Sequence, residues 1–557
     1  MSLITDGDCM MDKKQIIKTL DTVADLLEVK GENKFKIAAF RNAAIALRQF
    51  AEDLEPLIAA GKVTDIKGVG KGIAAVVQEL AETGESTMLD ELRRDVPDGL
   101  EDLLKVRGLG PKTVMNLYQK AGITSLVQLE LTAKSPDGAK TLGITEKKKE
   151  QVLASLQELR ANQGKILLHK AFSIVDEVSM KLANMHGIEK FELTGDLRRI
   201  AEMTSRIEFV LLVNGDVQTE GQFLSVDVAD DELRITDYAA PVILYLTKTE
   251  SEYAATLFAT TGSKTYLATL PTNQVKGDSE EEIYKSLGVS YVPPQWREPE
   301  LYNLTGDRQL QAVPLSAMKG LLHFHTTWSD GANTLEMMAN AAAEEGFEYI
   351  AVCDHSKSAG YAGGLNEKRV LDQQQEIADL NEKSAVRIFS GIESDILKDG
   401  SLDYADDFLS NFHCVVASVH NLFELPEDEM TARVIRAVEN PYTDILGHPT
   451  GRLLAQRAPY KIDMKKVIDA CSRNSVAIEI NAAPQRLDLD WRLYRYALEQ
   501  GVKFAINPDA HATKEIKNIR FGLMMANKVG IPQKEIINSL KCNEFKAFLQ
   551  RKVSRKL

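Results

Sequence analysis

Apolar side chains recur at helical spacing from residue 12 to about residue 165. In DKKQIIKTLDTVADLLEVKG they fall at Ile16, Ile17, Leu20, Val23, Leu26 and Leu27, one face of an amphipathic helix. No strand-like alternation occurs before FELTGDLRRI. From about 166 to 313 the pattern becomes β-rich, with RIEFVLLV, SVDVADDELRITDY and PVILYLTK as expected strands. YVPPQWREPE, near 291–300, carries paired prolines and reads as a linker or closing turn. From about 316 to 540 short apolar runs alternate with amphipathic helical stretches, which predicts an α/β sheet or barrel. The basic end KCNEFKAFLQRKVSRKL reads as a helix or tail with a solvated face. No long-period repeat interrupts this order, and 557 residues so patterned make several domains rather than one core.

With 44% hydrophobic and 27% charged residues, the composition is that of an ordinary soluble protein. No apolar run approaches the ~18 residues of a membrane-spanning helix. The opening MSLITDGDCMMDKK lacks the basic-then-apolar order of a secretory signal and is expected to be a short tail over 1–11. The five cysteines (Cys9, Cys353, Cys414, Cys471, Cys542) are scattered and form no CxxC pair. A disulfide scaffold or cysteine zinc finger is therefore not expected, and a reducing cytoplasm is. The net charge of −14 excludes a protein coated in basic groups, but not local phosphate contacts. The nine histidines change the picture most. His169 and His186 precede residue 320, whereas His323, His325, His355, His413, His420, His448 and His511 follow it. That clustering points to a metal or catalytic site in the later region.

Two segments of the helical region resemble each other: Ile66-Lys67-Gly68-Val69-Gly70-Lys71-Gly72-Ile73 and Val106-Arg107-Gly108-Leu109-Gly110-Pro111-Lys112-Thr113. In each, two glycines permit a tight turn and a close backbone approach, a basic residue follows, and a helix begins. The first N–H groups of that helix then face an anion. This is the helix-hairpin-helix pattern, which grips a DNA backbone without reading sequence. Gly68, Gly70, Lys71, Gly108, Gly110 and Lys112 are the expected contacts. An ordinary helix–helix turn could give either segment alone; the duplication favours DNA.

Seven β-like segments of the last region each end in a metal-ligand type. They are GLLHFHT (His323, His325), EYIAVCDH (His355), VRIFSGIE (Glu393), CVVASVH (His420), TDILGHP (His448), VAIEINA (Glu479, Asn481) and KFAINPDAH (Asp509, His511). In parallel barrels functional side chains gather at the C-terminal ends of strands. Asp330, in the loop TTWSDG, could join them. Imidazoles mixed with carboxylates suit Mn²⁺, Zn²⁺ or Fe²⁺. His323, His325, Asp330, His355, Glu393, His420, His448, Asp509 and His511 are too many for one ion, so two or three divalent ions are expected, with a carboxylate between them. Phosphoester hydrolysis is the natural inference from such a cluster. Amide hydrolysis or deamination is the competing one.

The motifs H-x-H-T-x-x-S-D-G, D-H-S-K-S, G-I-E-S-D-I-L-x-D-G-S-L-D-Y, S-V-H, G-H-P-T-G-R and D-A-H resemble the polymerase and histidinol phosphatase (PHP) domain. The resemblance implies a distorted seven-stranded barrel with a trinuclear site, and all nine ligand positions are filled. It assigns His323, His325, Glu393 and Asp509 to one ion and makes them the catalytic group. Glu393 would bridge to a second ion with His420 and His448, and Asp330, His355 and His511 would hold a third. Arg452 and Arg486 would contact phosphate. His413 has no place in the pattern and is expected to be structural. From about residue 12 to 545 the chain resembles the bacterial family X DNA polymerases. FKIAAFRNAA, TGDLRR, TGSK and YVPPQWRE carry that likeness. The implied fold class is multidomain α/β. A helical DNA-binding domain would span 12–90, a fingers-like domain 91–165, a nucleotidyltransferase-like palm 166–245, a thumb-like segment 246–313 and the PHP barrel 314–557.

The departures from that family lie in the palm. Its Asp-x-Asp is Arg206-Ile207-Glu208 here, and a cation at Arg206 would repel Mg²⁺. The third aspartate falls near Ile243. In the nucleotide turn Asp196 replaces a serine and Ile200 a glycine; after TGSK, a His-Asn pair becomes Tyr266-Leu267. An impaired polymerase site is expected. The position matching the Schiff-base lysine of some members is Val76, so no lyase activity is expected. The expected function is that of a DNA-binding, metal-dependent phosphoesterase in DNA repair, a 3′→5′ exonuclease or 3′-end phosphatase. Its partner would be gapped DNA or free 3′ ends, and the protein a cytoplasmic monomer without membrane contact. The alternatives are an active gap-filling polymerase with proofreading, or a hydrolase of small phosphate esters on a binding scaffold.

Overall fold

The computed structural model describes the chain apart from residues 1–12, 51–53, 216, 218, 220, 230, 272–274, 302–311 and 554–557. The expected tail over 1–11 and the end of the expected thumb-like segment lie outside the described residues. The chain divides into two compact units, Met1–Gln163 and Gly164–Leu557. Among the described residues no helix is long and apolar enough to cross a membrane.

The first unit is helical, and its core is the apolar face read from the sequence: Ile16, Leu20, Val23 and Leu27 are buried with Leu47, Val77, Leu103 and Val114. Both glycine segments form turns between helices. Gly68 (φ 104°) and Gly108 (φ 85°) take backbone angles that favour glycine. Gly70 caps the helix Lys71–Thr83, and Gly110 caps Pro111–Ala121. Proline at the first position of the second helix costs no hydrogen bond, because that N–H has no helical partner.

The second unit holds a mixed sheet and a barrel. The sheet strands are β1 (Ile188–Thr194), β2 (Ile207–Val213), β3 (Val226–Ala229), β4 (Glu232–Ile235) and β5 (Val242–Thr247). They lie in the order β1-β2-β5-β4-β3, with β2 and β5 parallel. All of β2 is buried, which explains its nearly continuous apolar run.

The barrel strands are β6 (Gly320–Leu322), β7 (Tyr349–Val352), β8 (Arg387–Asp395), β9 (Cys414–Ser418), β10 (Ile445–Leu446), β11 (Ala477–Asn481) and β12 (Phe504–Asn507). Each pairs in parallel with the next, and a parallel bridge from Phe324 to Ala510 draws the two edges together. Leu322, Tyr349, Ala351, Phe389, Cys414 and Val416 form one packed cluster with Phe545 and Leu549 of the helix Cys542–Leu549. Phe545 stacks on Tyr349 with centroids 4.7 Å apart. This corrects the expected solvated end: Phe545, Phe548 and Leu549 share one helical face, and burying it outweighs the surrounding charge.

YVPPQWREPE is likewise no free linker. Trp296 and Arg297 are buried; the Trp296 indole donates to Lys528 O at 2.7 Å, and Arg297 pairs with Glu280. Lys528, on the barrel helix Ile519–Val529, donates to the carbonyls of Arg199 (2.7 Å) and Ile200 (3.3 Å), next to the mixed sheet. It also lies over the Trp491 ring. Burial, partly opposed by Glu298, holds this ammonium down at about 8.

That value lies below the ~10.4 of an unfolded lysine. Between the two, the unfolded chain binds more protons than the folded chain, so stability rises with pH across the window. Lys528→Met removes the titrating group and is expected to flatten the rise. Denaturant titrations of both proteins at several pH values from about 7.5 to about 10 measure the difference.

Candidate metal centre

The barrel delivers its polar side chains to one mouth because each sits at, or just past, the C-terminal end of a parallel strand. His323 and His325 follow β6, His355 follows β7, Glu393 lies near the end of β8, His420 and His448 follow β9 and β10, and Asp509 and His511 follow β12. Asp330 comes from the loop after β6. Four overlapping groups have ligand atoms close enough together to hold an ion: His325, Asp330, His355 and His511; His323, His448 and Asp509; His323, His325 and Glu393; and His355, Glu393 and His420. All nine expected positions are therefore brought together. The grouping differs from that implied by the resemblance. His325 also lies with the Asp330 set, and His448 with His323 and Asp509, because rings at the centre of the mouth face two neighbours at once.

Glu393 is the hub. Its carboxylate oxygens lie 2.9 Å from His355 Nδ1, 3.1 Å from His420 Nε2, 2.9 Å from His448 Nε2 and 3.4 Å from His323 Nε2. Burial opposes its ionisation, but the charges of His420, His323 and His355 hold the carboxyl well below the usual range. Asp509 Oδ1 is 3.1 Å from His325 Nε2. The His325 ring stacks between those of His355 (4.4 Å) and His511 (4.2 Å). Burial, with His511 and His355 alongside, holds His325 down at about 4.

A divalent ion fits this donor set. His323 Nε2, His325 Nδ1 and His448 Nδ1 are buried without a hydrogen-bond partner, and His355 Nδ1 and Glu393 Oε2 lie 2.9 Å apart with no hydrogen bond aligned between them. Buried polar atoms are paired as a rule, so these lone pairs suit cations rather than a dry core. A further layer orients them. Glu479 accepts the Nδ1 hydrogen of His323 at 2.6 Å, and Asp395 that of His420 at 2.6 Å, which turns each Nε2 inward. Asp354 accepts from Thr326 N (2.8 Å), Thr326 Oγ1 (2.7 Å), Ser329 Oγ (2.5 Å) and Gln373 Nε2 (2.7 Å), fixing the loop that carries Asp330. Sequence reading placed Glu479 at a strand end but gave none of these three carboxylates a role. Asp395 could have been found by strand alternation, which puts it on the same face as Glu393.

The two arginines separate. Arg486 Nε lies 3.6 Å from Asp509 Oδ2, and its buried Nη1 has no hydrogen-bond partner. The phosphate contact expected at Arg452 is corrected. Its guanidinium is buried and used up by Asp490 (2.9 Å), Glu202 (2.5 Å) and the carbonyls of Arg486 (3.0 Å) and Leu487. His413 stands apart from the cluster, with its Nδ1 accepting from Ser390 N at 3.0 Å.

In the mixed sheet, register sets Glu208 opposite Ile243. Glu208 is buried, pairs with Arg206 at 3.0 Å and accepts from Tyr245 at 2.9 Å. Asp196 pairs with Arg199 at 2.5 Å, and Tyr266 is buried against the Tyr284 hydroxyl at 2.6 Å. In the helical unit Lys71 and Lys112 are exposed, and a Cβ placed on Gly70 or Gly110 would meet nothing within 4 Å.

The chain thus joins a helical module with two glycine turns to a five-stranded mixed sheet and a seven-stranded barrel whose mouth could hold metal ions. A helix-hairpin-helix domain model matches residues 11–86, and a PHP domain model matches 322–483. The chain is 34% identical to "DNA polymerase/3'-5' exonuclease PolX" of Bacillus subtilis (strain 168), over 97% of this chain and 100% of that protein. It is 30% identical to a probable phosphatase of Thermoanaerobacter sp. (strain X514), over 41% of this chain and 94% of that protein. A probable phosphatase of Acetivibrio thermocellus is 28% identical over 42% of this chain and 95% of that protein. The chain belongs to the bacterial family X DNA polymerases that carry a PHP domain.

Arg452→Met leaves the Glu202 and Asp490 carboxylates short of a buried partner. Breaking such a pair typically costs about 3–5 kcal/mol. Denaturant unfolding is expected to show a loss of that order.

Proposed function

We propose that the chain is a DNA-binding, metal-dependent phosphoesterase of the 3′→5′ exonuclease or 3′-end phosphatase type, with an impaired polymerase site and a role in DNA repair. The convergence of nine imidazole and carboxylate ligands on one barrel mouth carries this reading. Two or three ions of Mn²⁺, Zn²⁺ or Fe²⁺ would be held by His323, His325, Asp330, His355, Glu393, His420, His448, Asp509 and His511. Once bound, such ions acidify water and neutralise the charge that develops on a phosphate. The chain's own groups supply the rest. Arg486 offers its free N–H to a phosphate oxygen, a charge-assisted bond. Glu479 and Asp395 keep His323 and His420 in the required tautomer. Gly68, Gly70 and Lys71, with Gly108, Gly110 and Lys112, would hold the DNA backbone near gaps or free 3′ ends. The segments 12–90, 91–165, 166–245, 246–313 and 314–557 would serve as DNA-binding, fingers-like, palm, thumb-like and PHP parts of a cytoplasmic monomer.

Three observations support a polymerase site that no longer polymerises. Ile243 stands across from Glu208, so the carboxylate pair that would hold two ions is missing. Glu208 is tied to Arg206 and Tyr245 and packs against the nucleotide turn, where a Cβ on Gly195 would come 2.1 Å from its Oε2. Ile200 sits at φ 58°, a left-handed angle suited to the glycine that the family has there.

The relative's name favours templated synthesis as a second reading. With Mn²⁺, the protein is expected to release nucleotides or phosphate from the 3′ ends of single-stranded DNA. Chelation or His323→Ala should abolish this and leave DNA affinity unchanged. Primer extension across a gap is expected to give no product. Templated addition would overturn the palm reading, and faster turnover of a small aryl phosphate than of DNA would favour the small-ester alternative.

A further inference from the structure

Imidazoles, carboxylates and Arg486 line the barrel mouth, yet Tyr361 stands there with 64% of its surface exposed. Its ring centroid lies 6.2 Å from that of His355, at an interplanar angle of 57°. Among the described residues no hydrogen bond involves that side chain, and a single exposed tyrosine would need no explanation elsewhere.

The loop that carries it is held in place. Tyr361 occupies the middle of the short turn Gly360–Ala362, between β7 and the helix Glu367–Asn381. At the base of the loop, Arg369 donates to the carbonyl of Gly363 at 2.5 Å and to that of Trp328. Ser358 bonds Asp403 through its N–H at 2.6 Å and its hydroxyl at 2.5 Å. Leu365 N donates to His355 O at 2.8 Å, which ties the loop to a ligand residue. A Cβ on Gly364 would lie 1.9 Å from Ser356 O, so the loop needs glycine to pack so closely. A pinned loop therefore presents an aromatic face beside the cluster, its ring 6.2 Å from that of His355. The neighbouring Arg486 donor suits the phosphate of a nucleotide.

We propose that Tyr361 is the platform on which the 3′-terminal nucleobase of a DNA strand stacks while its phosphate lies at the barrel mouth. This rests on the nuclease reading above and deepens it, because it makes the base, rather than the phosphate alone, a determinant of the substrate. Every base has a π-face, so such a platform is tolerant of sequence. Rigid presentation reduces the ordering cost of binding.

The test uses the full-length Mn²⁺-loaded protein and two single-stranded oligonucleotides, one ending in a thymidine residue and one in an abasic residue. Wild type is expected to favour the base-bearing end by about tenfold, mainly through KM. Tyr361→Ala should lose that preference by weakening the base-bearing substrate alone, and Tyr361→Phe should retain it. Without metal, quenching of a fluorescent adenine analogue at the 3′ end should occur with wild type and Tyr361→Phe and be lost with Tyr361→Ala. Equal kinetics for wild type and Tyr361→Ala, or an equal loss on both ends, would overturn the proposal. Wild type that cleaves neither end would overturn the nuclease reading itself, and the platform with it.

Discussion

A carboxylate buried to 1% exposure at the centre of a barrel mouth requires positive or hydrogen-bonding partners, and Glu393 has five imidazoles from four strand ends within 3.7 Å. Removing an ionised group from water costs several kcal/mol even after relaxation, unless charges and hydrogen bonds compensate. The surrounding fold is arranged to give that compensation. Strands β6 to β12 bring the rings in, Glu479 and Asp395 orient two of them, and Asp354 ties down the Asp330 loop. The backbone bends to do so: His323 (φ 51°), His448 (φ 21°) and Asp509 (φ 51°) all adopt positive angles. Strain of this kind persists only where surrounding contacts over-determine it, as they do in this mouth.

The same loops connect the mouth to the mixed sheet. Arg452 binds the carbonyls of Arg486 and Leu487 on one side and Glu202 on the other. Lys528 reaches the carbonyls of Arg199 and Ile200, and Trp296 closes back on Lys528. Glu202, just past the turn TGDLRR, supports the loop bearing Arg486 through Arg452, while the turn's own Arg199 carbonyl receives Lys528 of the barrel helix. This end of the sheet thus has a mechanical task in holding the barrel loops.

Much of the barrel was legible because its signal is repeated. An apolar run followed by histidine or a carboxylate recurs seven times, and each recurrence strengthens the rest. The paired glycine turns were legible for the same reason. What sequence could not show was partnership over distance. Arg452 sits in a motif beside His448, but the residue that claims it is Glu202, 250 positions earlier. Glu479 and Asp395 are ordinary strand carboxylates until one sees which imidazole nitrogen each faces. Trp296 and Arg297 were hidden by two prolines, and Phe545 by the charges that follow it; in both cases burial outweighed the local composition.

The palm and the barrel respond differently to substitution, for a physical reason. In β2 the fold depends on Ile207, Phe209, Val210 and Leu211, all buried, whereas the positions to which the family resemblance assigns polymerase carboxylates are 206, 208 and 243. Those positions can change without unmaking the sheet; Arg206 and Glu208 pair with each other. The barrel mouth has no such separation. Its ligands are also one another's counter-charges, so losing one leaves a neighbour buried and uncompensated. On the reading proposed above, a chain relieved of the need to polymerise drifts at the palm positions, whereas the same drift at Glu393 or Asp509 would damage both chemistry and fold. On that proposed reading, nine candidate ligands gathered in the barrel beside a depleted palm are the pattern that asymmetry produces.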